Sequence, residues 1–134
     1  MKLSTRSRYG TRMMLDLAQH YGEGPVRIGD IAKRQDISVK YLEQLIIPLK
    51  GAKFIKSVRG PKGGHMIAKP PHEISIGAIV KALEGELAIL HCINDPDVCQ
   101  RGSYCPMRGV WESASFAMVE KLDSITLSDM LKQP

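Results

Sequence analysis

The chain has 134 residues, 43% of them hydrophobic and 25% charged, which gives one real core and excludes a disordered, collagen-like or rod-like molecule. Its longest run without Asp, Glu, Lys or Arg is Leu87 to Asn94, eight residues against the roughly 20 of a membrane span, and no apolar signal segment follows Met1–Arg6; the expectation is a soluble, intracellular protein with no membrane partner. The net charge of +5 is polarised: residues 1–70 carry 14 Lys and Arg against 5 Asp and Glu, and residues 71–134 carry 5 against 9, a basic half suited to a polyanion such as DNA.

In chain order, Ser4 is a fair N-cap, and Tyr9, Met13, Leu17 and Tyr21 recur at intervals of four, predicting a first helix that ends near Gly22 and Gly24-Pro25. Val26 to Ile28 either pairs as a short strand or leads into a helix over 30–35. Asp36-Ile37-Ser38 is a turn, and Ser38 caps a third helix from Val39 towards Gly51. Two helices joined by so short a turn form a helix-turn-helix. On the third helix Leu42, Leu45 and Ile46 mark the buried stripe, while Ser38, Lys40, Glu43 and Gln44 face outward near its N-terminus. Gln can bond adenine through two hydrogen bonds and Glu can accept from cytosine N4. An ordinary solvated face would carry the same residue types. Pro48 should tighten or kink the last turn.

Phe54 to Arg59 alternates as a strand, Gly60-Pro61-Lys62-Gly63-Gly64 is a turn, and His65 to Ala68 returns. A hairpin with a glycine-rich tip beside Arg59 and Lys62 is a wing, able to bring an Arg close to a narrow minor groove.

After Pro70-Pro71, Ser75 caps a fourth helix with Ile76, Ile79, Val80 and Leu83 on its core face, stopping at Gly85. The segment His91–Cys105 has too little periodicity for a packed element and reads as a loop. From Pro106 a long helix follows, with an apolar stripe of Met107, Val110, Trp111, Ala114, Met118 and Leu122. That stripe exceeds what the remaining chain can cover, so part of it should pack against a second copy, the alternative being that it folds back onto its own winged helix. Thr126 and Asp129 form a capping box for a last short helix over 127–131. The fold class is therefore mainly α with a small β-hairpin wing: a winged helix-turn-helix DNA-binding domain over 1–70, then a cysteine loop and dimerisation region over 71–134 of the same compact unit.

Cys92, Cys99 and Cys105, spaced C-x6-C-x5-C, supply three thiols, one short of the usual four ligands of a metal or cluster. No C-x2-C chelate is present, which disfavours a structural zinc site. Neighbours such as Asp95, Asp97, Gln100 and Arg101 suit buried apolar thiols poorly. No P-loop, HExxH, GxSxG or GxGxxG occurs, so neither an enzyme nor a small-molecule substrate is expected.

Over essentially its whole length the chain resembles the IscR/NsrR type of iron–sulfur-sensing, winged-helix transcription regulators. The resemblance lies in Met1-Lys2-Leu3-Ser4-Thr5-Arg6-Ser7-Arg8-Tyr9-Gly10, in Ile37-Ser38-Val39-Lys40-Tyr41-Leu42-Glu43-Gln44-Leu45, in the wing Val58-Arg59-Gly60-Pro61-Lys62-Gly63-Gly64, and in three cysteines before a Trp-bearing helix. It implies a cytoplasmic homodimer that binds double-stranded operator DNA, often as a repressor. The DNA-contacting set would be Ser38, Lys40, Tyr41, Glu43, Gln44, Arg59, Gly60 and Lys62. An iron–sulfur cluster, [2Fe-2S] or [4Fe-4S], would sit on Cys92, Cys99 and Cys105 with a fourth ligand left open, and the regulated processes would be cluster assembly or redox and iron homeostasis. Two positions depart from the pattern: Arg108 stands where IscR-like members place a ligating His, and Arg8 where some nitric-oxide-sensing members place an acidic ligand. The first cysteine gap is also one residue longer. The alternatives are a nitric-oxide-sensing repressor of this type, a thiol or zinc sensor without a cluster, and, from another class, a small iron–sulfur electron carrier.

Overall fold

The computed structural model of the protein describes residues 2–133. Within them, seven helices and one hairpin follow in the order α1 (Thr5–Gln19), α2 (Ile28–Gln35), α3 (Val39–Gly51), β1 (Ile55–Val58), β2 (Gly64–Ile67), α4 (Ile76–Glu84), α5 (His91–Asn94), α6 (Arg108–Asp123) and α7 (Leu127–Leu131). The expected winged helix-turn-helix is present. Its helix starts are set by local chemistry, because the first backbone N–H groups of a helix need outside acceptors. Ser4, Ser38, Ser75 and Thr126 each supply one, and Asp129 returns the favour to the Thr126 N–H to complete the capping box.

One core holds the winged helix together. Met13, Met14 and Leu17 of α1 meet Ile31 of α2 and Leu42, Leu45 and Leu49 of α3. Ile55 and Ile67 close it from the hairpin, and Ile74, Ile79, Leu83 and Leu127 from beyond residue 70. Each aliphatic side chain removed from water contributes about 1.5–3 kcal/mol against the entropy of ordering the chain. Pro48 lies inside α3, which nevertheless continues to Gly51.

Several boundaries differ from the sequence expectation. α1 ends at Gln19, so Tyr21 leaves the predicted stripe and is 51% exposed. α2 starts two residues early, at Ile28, without a side-chain cap. β1 and β2 pair antiparallel with Ile55 opposite Ile67 and Val58 opposite Gly64, and Val26 adds a single bridge to His65. That bridge requires Gly64: a Cβ there, at φ +154°, would strike the Val26 carbonyl oxygen. The cysteine segment is not a plain loop, since it contains the single turn α5 and a 3-10 turn over Pro96–Val98. α6 begins at Arg108 rather than Pro106.

No described helix is long and apolar enough to cross a membrane.

Candidate nucleic-acid interface and cysteine site

The outward face of α3 is built by its N-terminus and its core stripe together. Ser38 accepts from the Tyr41 N–H at 3.1 Å, which fixes where the helix begins. With Leu42, Leu45 and Ile46 turned inward, helical geometry leaves Ser38, Lys40, Glu43 and Gln44 exposed, as the sequence predicts. Ile47, a turn further on, is 72% exposed and escapes sequence reasoning; its place on the Lys40–Glu43–Gln44 face is the signal that marks it. Tyr41 is different in kind. It is half-buried, its hydroxyl lies 3.1 Å from Thr5 Oγ1, and its ring meets Tyr9 edge-on at 5.8 Å. It therefore anchors the start of α3 to the start of α1.

At the wing, Arg59, Gly60 and Lys62 are all exposed at the hairpin tip. The Gly63 N–H donates to the Gly60 carbonyl at 2.9 Å, closing the turn, and the Arg27 guanidinium donates to the Pro61 carbonyl at 2.7 Å. Arg27 thus ties the tip to the start of α2. On the wing strands, one pair below the tip turn, Ser57 and His65 pair at 2.8 Å, and burial, reinforced by Lys50, holds the His65 imidazole below its ordinary range. These groups make a positive, polar surface on a rigid support. Such a surface can neutralise phosphates and present hydrogen-bonding groups to base edges.

Between α1 and α2 lies a charged cluster that sequence reasoning misses. Asp16 is 1% exposed on the core side of α1 and accepts two hydrogen bonds from Arg34, at 2.8 and 2.9 Å, and one from Gln35 at 2.9 Å. Burial raises its pKa, but the Arg34 and Gln35 hydrogen bonds outweigh that and leave it below the ordinary value. The available signal is a carboxylate between Met13 and Leu17 on an apolar face, which demands a cation. Glu84, at the end of α4, likewise accepts from the Ser4 N–H at 3.0 Å and from the Ser7 hydroxyl at 2.7 Å.

The cysteines sit apart from this core. Cys92 in α5 and Cys105 before α6 are half-buried, Cys99 is exposed, and all three are free thiols. Among the described residues no three His, Cys, Asp or Glu side chains converge as a metal-binding group. The donor set itself suits an iron–sulfur cluster: soft thiols on one segment, two of them half-buried. Arg108 cannot complete it, because a guanidinium offers no lone pair. Its Nε donates to the Cys92 carbonyl at 3.2 Å and its Nη2 to the Ile93 carbonyl at 3.4 Å.

The family model described as Rrf2, an iron-dependent transcriptional regulator, matches residues 3–133. Protein rrf2 of Nitratidesulfovibrio vulgaris is 48% identical over 132 residues, covering 98% of this chain and 88% of the relative. The solved structure of T. potens IscR is similar with a TM-score of 0.80 at 45% identity, covering 98% of this chain and 87% of that one. CymR, the global cysteine regulator of B. subtilis, has a TM-score of 0.80 at 37% identity, covering 97% of this chain and 95% of that one. A capped helix-turn-helix, a basic wing and likeness along nearly the full length make one conclusion: the chain belongs to the Rrf2 family and is a DNA-binding transcription regulator, not an enzyme.

Proposed function

We propose that the protein acts as a homodimer on double-stranded operator DNA, with an affinity controlled by an iron–sulfur cluster on Cys92, Cys99 and Cys105. The observation that carries this reading is a pairing: an exposed polar face on α3 beside a basic wing tip, with three free thiols on a separate, lightly packed segment. In the major groove Gln44 reads adenine, Glu43 selects cytosine by accepting from N4, and Ser38 and Lys40 fix the helix start. Tyr41 holds that start against Thr5. In the minor groove Arg59 enters where Gly60 permits close approach, and Lys62 takes a phosphate.

Dimerisation is supported by α6, which leaves Val110 50% and Phe116 69% exposed. An apolar cleft of about 290 Å³ between α1, α4 and α7, lined by Leu15, Ile76, Ile125 and Leu127 among others, offers a further surface for a second copy. Two α3 helices about 34 Å apart would reach successive major grooves. When bound, the cluster supplies a link among the three thiols that responds to iron supply and oxidants. The residues around it connect α4 to α6, so ordering them biases the placement of two winged helices. Regulation of cluster assembly or of redox and iron homeostasis, by repression, fits this device.

The test begins with protein purified without oxygen, its absorption spectrum, and iron and sulfide counted per chain. A duplex selected from a random pool then serves as operator. Visible absorption lost in Cys92→Ala, with operator affinity that changes between the two and falls about 10³-fold or more from 50 to 200 mM salt, is the expected result. Colourless protein with unchanged operator binding would remove the cluster from the reading.

A second reading, a thiol sensor without a cluster, is favoured by one observation. Cys99 is exposed, and among the described residues the three sulfurs do not converge. On that reading, alkylating Cys99 alone changes operator affinity in colourless protein.

A further inference from the structure

Arg108 touches both ends of the cysteine segment. Its backbone N–H donates to the Cys105 carbonyl at 3.2 Å, while its guanidinium reaches back sixteen residues to the carbonyls of Cys92 and Ile93. Those carbonyls belong to the single turn α5, too short to satisfy them by helical hydrogen bonds. The neighbouring carbonyls of Leu90 and His91 are already used by the N–H groups of Ile93 and Asp95. Glu112, one turn along α6, takes the remaining side of the guanidinium at 3.1 Å. The planar fork of Arg is thereby fixed between α5 and α6, a geometry the single ammonium of Lys cannot reproduce.

We propose that Arg108 is the positioning residue of the cysteine site: it pairs the Cys92 and Cys105 thiols against the start of α6 and leaves Cys99 as the mobile third donor. A side chain with no capacity to ligate thus contributes by assembling two ligands in advance. Cys92 and Cys105 are the two half-buried thiols and Cys99 the exposed one, in keeping with this division. The relevance of the pair to metal rests on the iron–sulfur reading above, whereas the pairing itself does not.

The test uses the full chain in a Cys99→Ala background, free of metal, with dibromobimane, which becomes fluorescent only when two nearby thiols displace both of its bromides. Cys92 and Cys105 are expected to cross-link readily. Arg108→Gln slows this by roughly tenfold, the order of effect of losing a charge-assisted hydrogen-bond pair, while helix content by circular dichroism is unchanged. Arg108→Lys restores part of the rate, and Glu112→Gln lowers it by a smaller factor. In the three-cysteine protein, Arg108→Gln also takes up iron and sulfide more slowly under anaerobic reconstitution. Cross-linking at the same rate with and without the Arg108→Gln substitution, at equal helix content, overturns the proposal. Slowed cross-linking with no cluster in either protein upholds the pairing and rejects only the iron–sulfur reading.

Discussion

The winged helix and the cysteine region are built to different standards. Every buried hydrophobic side chain among the described residues lies between Met13 and Leu83 or at Leu127. From Glu86 to Asp123 the described buried positions are Gly102 and Ser115, the latter accepting from the Ile89 N–H at 2.9 Å. One region is held by close packing and by Asp16 and Glu84 at its seams. The other is held by half-buried side chains such as Trp111, Met118 and Leu122, by the contact of α6 with α4, and by polar contacts that include those of Arg108. A surface that must match DNA needs a single rigid form, while a segment with the sensing role proposed above needs two accessible forms separated by little free energy.

The contrast can be broken most severely from the packed side. Leu42→Ala removes a fully buried side chain at the meeting of α1, α2 and α3 and should cost about 3 kcal/mol of stability, read as a lower denaturant midpoint. Asp16→Asn should cost about 2 kcal/mol, because Arg34 loses its carboxylate. Since the folded-state pKa of Asp16 lies below the ordinary 3.8, its stabilisation is complete above that value and fades as pH falls through it. The difference between the two proteins should therefore be constant above about pH 5 and shrink towards pH 3 in denaturation curves. No such narrowing would mean that the carboxylate charge is not what holds Arg34.

From the open side, Phe116→Ala should leave the unfolding free energy within about 0.5 kcal/mol yet weaken self-association about tenfold by analytical ultracentrifugation. Unchanged association would exclude this face of α6 from the proposed dimer. The smallest effect sharpens the DNA-facing surface itself. Glu43→Ala should change the base preferred at one operator position by about 1 kcal/mol without abolishing binding, as selection from a random duplex pool would reveal.

Short-range rules made much of the fold legible. The caps at Ser4, Ser38, Ser75 and Thr126, the α3 stripe and the glycine-rich wing all depend on neighbours within a few positions. The same reasoning overran at Tyr21, because spacing by four continues past the point where the chain at His20 and Gly22 leaves helical geometry. It also missed α5, a single turn too short to show a period. The tethers escaped for another reason. Asp16–Arg34 is eighteen residues apart, Glu84–Ser4 eighty, and Arg108 bonds to carbonyls that carry no side-chain signature at all. For the site, residue types and spacing gave the DNA-facing candidates and the three thiols, whereas the anchoring role of Tyr41 required knowing that Thr5 lies beside it.

Gly85, where α4 stops, has φ +86° and ψ −143°, a backbone form open in practice to glycine alone, although no atom crowds the space where a Cβ would stand. The two regions are therefore joined by one residue of fixed angle at the start, and at the far end by the close approach of Asp123 to Gly77 of α4, where a Cβ would collide. Such an elbow makes the chain a natural splice point. Chimeras that exchange everything between residues 86 and 123 for the corresponding stretch of a relative, keeping Gly85, should retain the operator preference of this protein while acquiring the signal of the donor.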